Sequence, residues 1–248
     1  PGLEAMILHH EMFYRDLSDP VALLRSEKPT ELSQYWPYVS DLSKKKKISL
    51  VDAKIYSDLM AASQMLVCQE TLRLVNFDKF DVIMDVGGGN GTFLLKLANK
   101  FNRPRLILFD LPEVVSAASG QLESDLLTRI EIVPGDFDIS DLPQGATAIT
   151  LNRVLYDHND KKVKMLLNKV WEALPIGGCL IISEPMSGGS RPSKSGDTYF
   201  GFYTMAMTTG QPRSIEVLTK LLKDVGFHKI KVPRGARKFV TSVVVAQK

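Results

Sequence analysis

The stretch from Asp81 to Gly91, which reads D-V-I-M-D-V-G-G-G-N-G, constrains the fold of this chain more than any other feature. Its apolar first half has the composition of a short buried parallel strand. The residues that follow, 92–101, place apolar side chains at helical spacing. A strand, a glycine turn and a helix in this order predict a site of the nucleotide-binding type, because glycine lets the backbone approach a ligand and the helix N-terminus offers free N–H groups.

The spacing of the glycines narrows the class of ligand. A dinucleotide-binding turn has glycine at its first, third and sixth positions, but the sixth position counted from Gly87 is Thr92. Glycines at 87, 89 and 91 instead give G-x-G-x-G, preceded by the acid Asp85. This pattern resembles motif I of the S-adenosylmethionine (SAM)-dependent methyltransferases. A nicotinamide-dependent oxidoreductase is disfavoured but stays an alternative, as does a glycine turn without any cofactor.

Composition excludes several function classes. Of the 248 residues, 44% are hydrophobic and 24% are charged, as in an ordinary globular α/β domain. The net charge of +3 is too small a bias to indicate a nucleic-acid partner. Cys68 and Cys179 form neither a disulfide framework nor a metal-ligand pattern and fit a reducing compartment. We find no membrane span and no signal peptide, so a cytoplasmic protein without a bound metal is expected.

Hydrophobic patterning predicts two parts, a helical N-terminal segment over residues 1–50 and an α/β domain over residues 51–248. From Asp81 onward strands alternate with helices, which is typical of a mostly parallel sheet with helices on both faces. The predicted strands are 82–86, 105–109, 130–134, 146–151, 178–183, 227–232 and 239–246, and the predicted helices in this part are 52–76, 92–101, 112–120, 160–173 and 214–225. The last two strands are expected to finish the sheet as an antiparallel hairpin.

Candidate cofactor-binding residues follow three of these strands, at the carboxyl edge where ligands bind on open parallel sheets. Asp110 ends the second strand, where an acid can bind both ribose hydroxyls or cap the next helix. Asp136 and Phe137 follow the third strand and can bind and stack on an adenine, although a turn residue and a core residue would give the same pattern. Arg153 follows the fourth strand and can pack its guanidinium on the base.

Five segments in chain order carry a resemblance to a known family. They read D-V-G-G-G-N-G, L-F-D-L-P-E-V-V, G-D-F, R-V-L-Y-D-H-N-D and G-G-C-L-I-I-S-E-P. They resemble the ordered motifs of class I O-methyltransferases of the acetylserotonin and plant phenolic type. Within that type the chain is most similar to the hydroxyneurosporene (carotenoid) O-methyltransferases, and this likeness includes residues 2–6, 14–20 and 196–203. The resemblance covers nearly the whole chain.

The resemblance implies a Rossmann-like, seven-stranded and mostly parallel sheet with SAM as the cofactor. It also implies that one set of residues contacts SAM, namely Gly87, Gly89, Asp110, Gly135, Asp136, Phe137 and Arg153. Members of the family usually carry an N-terminal dimerisation domain. Because the chain starts at Pro1 and lacks most of that domain, residues 1–50 are expected to be its remnant or its linker. A homodimer is therefore possible in the longer protein.

The catalytic base departs from the family pattern. The phenolic enzymes carry His-Asp-Trp after the fourth strand and use that His as the base, whereas the aligned residues here are Tyr156, Asp157 and His158. Methyl transfer needs alignment first, and a base only if the acceptor must lose a proton. Tyrosine, with an ordinary pKa of about 10, is a poor base, while His158 has a suitable ordinary pKa of about 6.5. We therefore name His158 and Tyr156 as candidate catalytic residues. An alcohol methylated with weak base assistance, or a degenerate SAM-binding protein, are alternatives.

The expected reaction is in-line methyl transfer to the hydroxyl of a small or apolar acceptor. Side chains that suit an apolar acceptor follow the fifth strand, although each could equally belong to the core: Tyr199, Phe200, Tyr203, Met205 and Met207. Met60 and Ser63, from the predicted helix 52–76, are expected to close this pocket.

Overall fold

The computed structural model describes residues 2–26, 29–35, 63–119, 129–235 and 237–248. The strands in these ranges are β1 (Val82–Val86), β2 (Arg105–Asp110), β3 (Ile130–Pro134), β4 (Ala148–Asn152), β5 (Cys179–Glu184), β6 (His228–Lys231) and β7 (Ser242–Gln247). They form one sheet in the order β3-β2-β1-β4-β5-β7-β6. β1 to β5 are parallel, and β7 is antiparallel to both β5 and β6. The predicted seven-stranded, mostly parallel sheet with its terminal hairpin is confirmed.

The helices in the described ranges are α1 (Gly2–Leu17), α2 (Pro20–Arg25), α3 (Glu31–Tyr35), α4 (helical over residues 63–74), α5 (Thr92–Lys100), α6 (Pro112–Ser119), α7 (Asp160–Ala173), α8 (Gly201–Ala206) and α9 (Ile215–Val225). A π-helix, Lys194–Phe200, leads into α8, and a 3-10 turn, Leu155–Asp157, lies between β4 and α7. The first part of the predicted helix 52–76, including Met60, lies outside the described residues.

Two apolar clusters cover the two faces of the sheet. One packs α7 and α9 against the sheet through side chains such as Leu166 and Leu218. The other packs α4 and α5 against the opposite face through Leu72 and Leu97. Because burying one such leucine contributes about 1.5–3 kcal/mol, each helix is fixed by its apolar side. Helices on both faces agree with the prediction.

The start of β7 differs slightly from the prediction. The predicted strand began at residue 239, but residues 237–240 turn back on themselves, and the amide of Val240 donates to the carbonyl of Arg237 at 2.8 Å. β7 then begins at Ser242 and pairs with β5 from Glu184 onward. The loop between β6 and β7 therefore lies at the same edge of the sheet as the carboxyl ends of the parallel strands.

The N-terminal helices pack on α8. Phe13, Leu23 and Leu32, from α1, α2 and α3, form one buried cluster with Tyr203 of α8 and with Met207, which follows α8. α3 is also tied to α1, since the Asp16 carboxylate accepts hydrogen bonds from two amides at the start of α3. This docking sets part of the predicted N-terminal segment beside the loops at the carboxyl edge. Among the described residues, no helix is both long and apolar enough to span a membrane.

Candidate cofactor and acceptor site

The glycine turn after β1 borders open space. Gly87 and Gly89 have φ angles of +70° and +61°, a left-handed conformation that is costly for residues with a Cβ. A Cβ on Gly87 would lie 2.9 Å from a methyl group of Val154, so Gly87 packs against the loop after β4. A Cβ on Gly89 would meet no atom of the described residues within 4 Å. The turn therefore has room on its Gly89 side for a ligand to contact the backbone.

Asp110, at the end of β2, faces this turn. Its Oδ2 accepts a hydrogen bond from the amide of Gly89 at 2.7 Å, and its Oδ1 accepts from the amide of Leu111, also at 2.7 Å. Burial raises the pKa of Asp110 to about 6, so the carboxylate is mostly ionised at pH 7. Each carboxylate oxygen can accept more than one hydrogen bond. The structure thus brings together the predicted acid and the glycine turn.

A buried pair, Asp85 and Asn152, lies under the same turn. Asp85 is 1% exposed, and its Oδ1 accepts hydrogen bonds from Thr150 at 2.5 Å and from the side-chain amide of Asn152 at 2.9 Å. Its Oδ2 would lie 2.8 Å from a Cβ placed on Gly88. Burial raises the pKa of Asp85 to about 7.

Two acceptor atoms of this pair lack a partner. Asp85 Oδ2 and Asn152 Oδ1 are both buried and make no hydrogen bond to any described residue. Leaving such groups unpaired costs about 1–3 kcal/mol each, so the pair fits a ligand that donates hydrogen bonds, such as an amino group. Asn152 was missed in the sequence, where the only signal was a polar residue at the end of an apolar strand.

The residues after β3 make the packing and turn contacts that the sequence left open as the alternative to contacts with a cofactor. A Cβ on Gly135 would lie 2.5 Å from the ring of Phe109, so the packing of that ring requires a glycine here. Asp136 acts as a turn residue, because its Oδ1 accepts from the amide of Asp138 at 2.9 Å. Phe137 packs partly against the core and lies edge-on to His158, with ring centroids 5.6 Å apart. The amide of Gly135 donates to the carbonyl of Asp110 at 2.9 Å, which holds this loop beside the β2 end.

Arg153 points toward α4 and Tyr156. Its Nη1 donates to Ser63 Oγ at 2.6 Å, and its Nη2 donates to Tyr156 Oη at 3.3 Å. Its φ of +57° is a left-handed conformation that is uncommon for a residue with a side chain. Ser63, predicted to help close the acceptor pocket, is thereby linked to the loop after β4.

Tyr156 is buried in a cluster of titratable groups. Burial raises the pKa of the Tyr156 hydroxyl above its ordinary value, and burial also raises the pKa of Asp157 to about 7 and that of Glu184 to about 8. The amide of Tyr156 donates to Glu184 Oε2 at 3.2 Å. Tyr156 therefore keeps its proton at neutral pH and does not meet the chemical requirement for a general base.

His158 occupies a different side of the site. Burial lowers the pKa of His158 to about 4, so its ring is neutral at pH 7. Its carbonyl accepts from Arg213 Nη2 at 2.8 Å, which fixes the loop before α7. Its ring lies against Phe137, the residue predicted to contact adenine.

The predicted acceptor-lining side chains separate into two groups. Tyr199, Phe200 and Tyr203 contact one another, and the Phe200 ring is edge-on to the Tyr156 ring at 5.7 Å. Met207 is buried against the N-terminal helices, while Met205 is 37% exposed. The structure thus brings together the three aromatic residues and Tyr156.

Two histidines of α1 also reach this aromatic group. His9 Nε2 lies 2.8 Å from Tyr203 Oη, and His10 Nε2 is hydrogen-bonded to Tyr199 Oη. These pairs join residues about 190 positions apart in the chain, so no local sequence pattern could have revealed them. Among the described residues, no group of three or more His, Cys, Asp or Glu side chains is arranged to hold a metal ion.

Comparisons with known proteins agree with this geometry. Residues 14–228 match the family model described as an O-methyltransferase domain. The whole chain is 48% identical to the demethylspheroidene O-methyltransferase of Rhodobacter capsulatus and covers 61% of that protein. It is also 48% identical, over 99% of its length, to the enzyme of the same name from Cereibacter sphaeroides, of which it covers 65%. The chain therefore spans about three fifths of the length of these relatives.

A solved structure has the same fold. Human N-acetylserotonin methyltransferase in complex with SAM superposes with a TM-score of 0.82 at 21% identity, over 95% of this chain and 67% of that one. The Rossmann-like fold and the family predicted from the sequence motifs are both confirmed. Because the family model spans most of the chain and two relatives share nearly half of its residues, the chain belongs to the O-methyltransferase family.

Proposed function

We propose that this chain is the catalytic part of a SAM-dependent O-methyltransferase that methylates a hydroxyl group of an apolar small molecule. The observation that carries the proposal is the Gly89 turn. Among the described residues, it faces open space beside the Asp110 carboxylate, and the buried oxygens Asp85 Oδ2 and Asn152 Oδ1 have no hydrogen-bond partner there. Identity of 48% to two demethylspheroidene O-methyltransferases supports a hydroxylated carotenoid as the acceptor class.

The cofactor contacts are assigned by the hydrogen-bonding chemistry of the residues. The Asp110 carboxylate has acceptor capacity for ribose hydroxyls beyond the two amides that it already binds. Asp85 and Asn152 offer buried acceptors for the amino group of the methionine moiety. The remaining proposed contacts come from the turn and from the loops after β3 and β4: Gly87, Gly89, Gly135, Asp136, Phe137 and Arg153.

The chain's own residues position the reactants. Bound SAM would supply a methyl group attached to a positively charged sulfur. We assign the contacting aromatic side chains of Tyr199, Phe200 and Tyr203 to the apolar wall of the acceptor site. Holding the acceptor oxygen in line with the methyl group supplies most of the catalysis such a displacement needs.

Of the two catalytic residues predicted from the sequence, only His158 is a candidate base. Its ring is neutral at pH 7, since burial holds its pKa at about 4. Tyr156 keeps its proton, because burial raises its pKa, and we assign it to holding Arg153 through its hydroxyl. If His158 takes no part, transfer to an alcohol with weak base assistance is the remaining mechanism for the loop after β4.

We further propose that the protein is cytoplasmic and binds no nucleic acid and that, as the family resemblance implies, it can form a homodimer. Support comes from the two free thiols, Cys68 and Cys179, which fit a reducing compartment, and from the small net charge of +3. Size-exclusion chromatography with light scattering on the full-length protein tests the dimer, and a monomer at micromolar concentration would contradict it.

Calorimetric titration tests the function. We expect the full-length protein to bind SAM and not NADH, and then to methylate a hydroxylated carotenoid. Binding of NADH without SAM would instead support an oxidoreductase. Binding of SAM without turnover on any hydroxylated acceptor would support a degenerate SAM-binding protein, a reading that the tyrosine at position 156 favours.

A further inference from the structure

Methylation of a hydroxyl releases a proton, and the two candidate bases in the loop after β4, Tyr156 and His158, are poorly suited to take it up. Tyr156 is already protonated, and its hydroxyl accepts from Arg153. His158 lies against Phe137, on the side of the site assigned to adenine rather than to the acceptor. If the proposed function holds, a base is needed on the side of Tyr199, Phe200 and Tyr203.

His9 of α1 lies on that side. It is 4% exposed, and its Nε2 lies 2.8 Å from Tyr203 Oη. Burial, followed by the nearby positive charges of His10 and Arg153, lowers the pKa of His9 to about 4. The ring is therefore neutral at pH 7. When the Tyr203 hydroxyl donates to Nε2, that nitrogen carries the lone pair that can receive a proton.

Tyr203 connects this histidine to the proposed acceptor site. Its ring lies 6.4 Å from the Phe200 ring and is stacked at 6.2 Å on the Tyr199 ring, centroid to centroid. Phe200 in turn contacts Tyr156, which occupies the position of the base in the phenolic relatives. The His9–Tyr203 pair is therefore one aromatic ring away from that position.

We propose that the His9–Tyr203 pair takes the proton from the acceptor hydroxyl. The acceptor O–H donates to Tyr203 Oη, and the Tyr203 O–H donates to His9 Nε2. As the acceptor oxygen bonds to the methyl carbon, the carbon–sulfur bond breaks and its electron pair stays on sulfur. The acceptor proton moves to Tyr203 Oη while the Tyr203 proton moves to His9 Nε2. The positive charge thus leaves sulfur and appears on the imidazolium, which later releases its proton to water.

Chemical rescue tests this role in the full-length protein. We expect His9→Ala to lower kcat about 100-fold or more, as loss of a general base does, with SAM affinity unchanged. Added imidazole should restore part of the rate in a saturable way. His9→Gln retains a hydrogen-bond acceptor but cannot take up a proton, so it should be equally slow. His10→Ala is the matched control on the same helix, and its turnover should not respond to imidazole.

Titration without cofactor gives a second readout. The charged and titratable groups that face His9 in the described structure are His10 from α1, Arg153 from the loop after β4 and Tyr203 from α8. By NMR of the imidazole nitrogens, His9 should titrate well below an ordinary histidine. The acid limb of the pH–rate profile should follow the pKa of His9.

The outcomes separate this proposal from the proposed function. If wild-type protein binds SAM but methylates no acceptor, the proposed function is refuted, and so is the role of His9 and Tyr203 as the base. Active wild type with a His9→Ala variant that keeps its rate, or is not rescued, overturns the base alone. Rescue by imidazole in His158→Ala but not in His9→Ala assigns the role to His158. If His9→Ala does not fold, His9→Gln and Tyr203→Phe, judged by circular dichroism and turnover, decide the question.

Discussion

Gly89 and Gly135 both belong to the predicted cofactor site, but the two positions require glycine for different structural reasons. Gly89 has a φ of +61°, and a Cβ there would meet no atom of the described part of the chain within 4 Å, whereas a Cβ on Gly135 would lie 2.5 Å from the Phe109 ring. The first position is therefore limited by backbone conformation and, in our proposal, also by contact with the cofactor. The second is limited by core packing.

Alanine substitutions should separate these two requirements. Gly89→Ala should lose about 1–2 kcal/mol of stability to the strain of a left-handed alanine and should also bind SAM at least tenfold more weakly. Gly135→Ala should lose stability by about 1–3 kcal/mol from overpacking. Thermal denaturation and calorimetry check both. A Gly89→Ala variant with wild-type SAM affinity would contradict the proposed contact between this turn and the cofactor.

Asp110 should carry much of the SAM affinity. Asp110→Ala removes the carboxylate proposed to bind the ribose, and we expect SAM affinity to fall at least tenfold, which corresponds to about 1.4 kcal/mol. Calorimetry on the folded variant measures this. Asp141→Ala, an exposed acid in the loop between β3 and β4, is the matched control and should bind SAM normally. Unchanged affinity in Asp110→Ala would refute the ribose role.

At the scale of elements, the prediction from the sequence was accurate where apolar runs or helical spacing of apolar residues mark a strand or a helix. The predicted bounds differ from the observed ones by at most one residue at either end for five elements: β1, β2, β3, α5 and α9. Their strand ends also located Asp110 beside Gly89. Contacts between distant parts of the chain could not be predicted in this way. His9 meets Tyr203 only because α1 docks on α8, and Arg153 meets Ser63 only because the start of α4 lies beside the loop after β4.

The docking of α1 should depend on Phe13. This residue is 1% exposed, and its ring lies edge-on to the rings of Tyr199 and Tyr203 at 5.8 and 5.3 Å. Phe13→Ala should weaken the packing by about 3–5 kcal/mol. Amides of α1 should then exchange faster with solvent and turnover should fall, while SAM affinity stays unchanged.

A buried phenylalanine elsewhere provides the control for this prediction. Phe227 packs edge-on against Trp171 at 5.0 Å, on the sheet face that α7 and α9 cover. Phe227→Ala should lower the overall stability without selectively exposing α1. Equal hydrogen exchange of α1 in the two variants would contradict a docking contact specific to Phe13.

For the whole molecule, buried carboxyl groups should make stability depend on pH. Glu184 is fully buried, and burial raises its pKa to about 8, above the ordinary value near 4.3 in the unfolded chain. Between these values the folded state binds more protons than the unfolded state. The contribution of Glu184 to stability is therefore present below about pH 4 and is lost as the pH rises toward 8.

Glu184→Gln should remove this dependence. Relative to wild type, its free energy of unfolding should increase by on the order of 1–3 kcal/mol between pH 5 and pH 8. Denaturation in urea at both values measures the difference. The lowered pKa values of His9 and His158, about 4, make stability rise with pH instead. This contribution is the same in wild type and in Glu184→Gln, so it cancels in the comparison. The exposed Glu216→Gln control should show no such increase, and parallel curves for Glu184→Gln and wild type would contradict the burial argument.

Transfer of a labelled methyl group tests the central claim most directly. The full-length protein is incubated with methyl-labelled SAM and a hydroxylated carotenoid such as demethylspheroidene, and the products are analysed by mass spectrometry. We predict one labelled methyl group on the acceptor oxygen for each S-adenosylhomocysteine formed, and a much slower reaction with Asp110→Ala. Label that stays on SAM with every hydroxylated acceptor, or that arrives on carbon or nitrogen, would contradict the account.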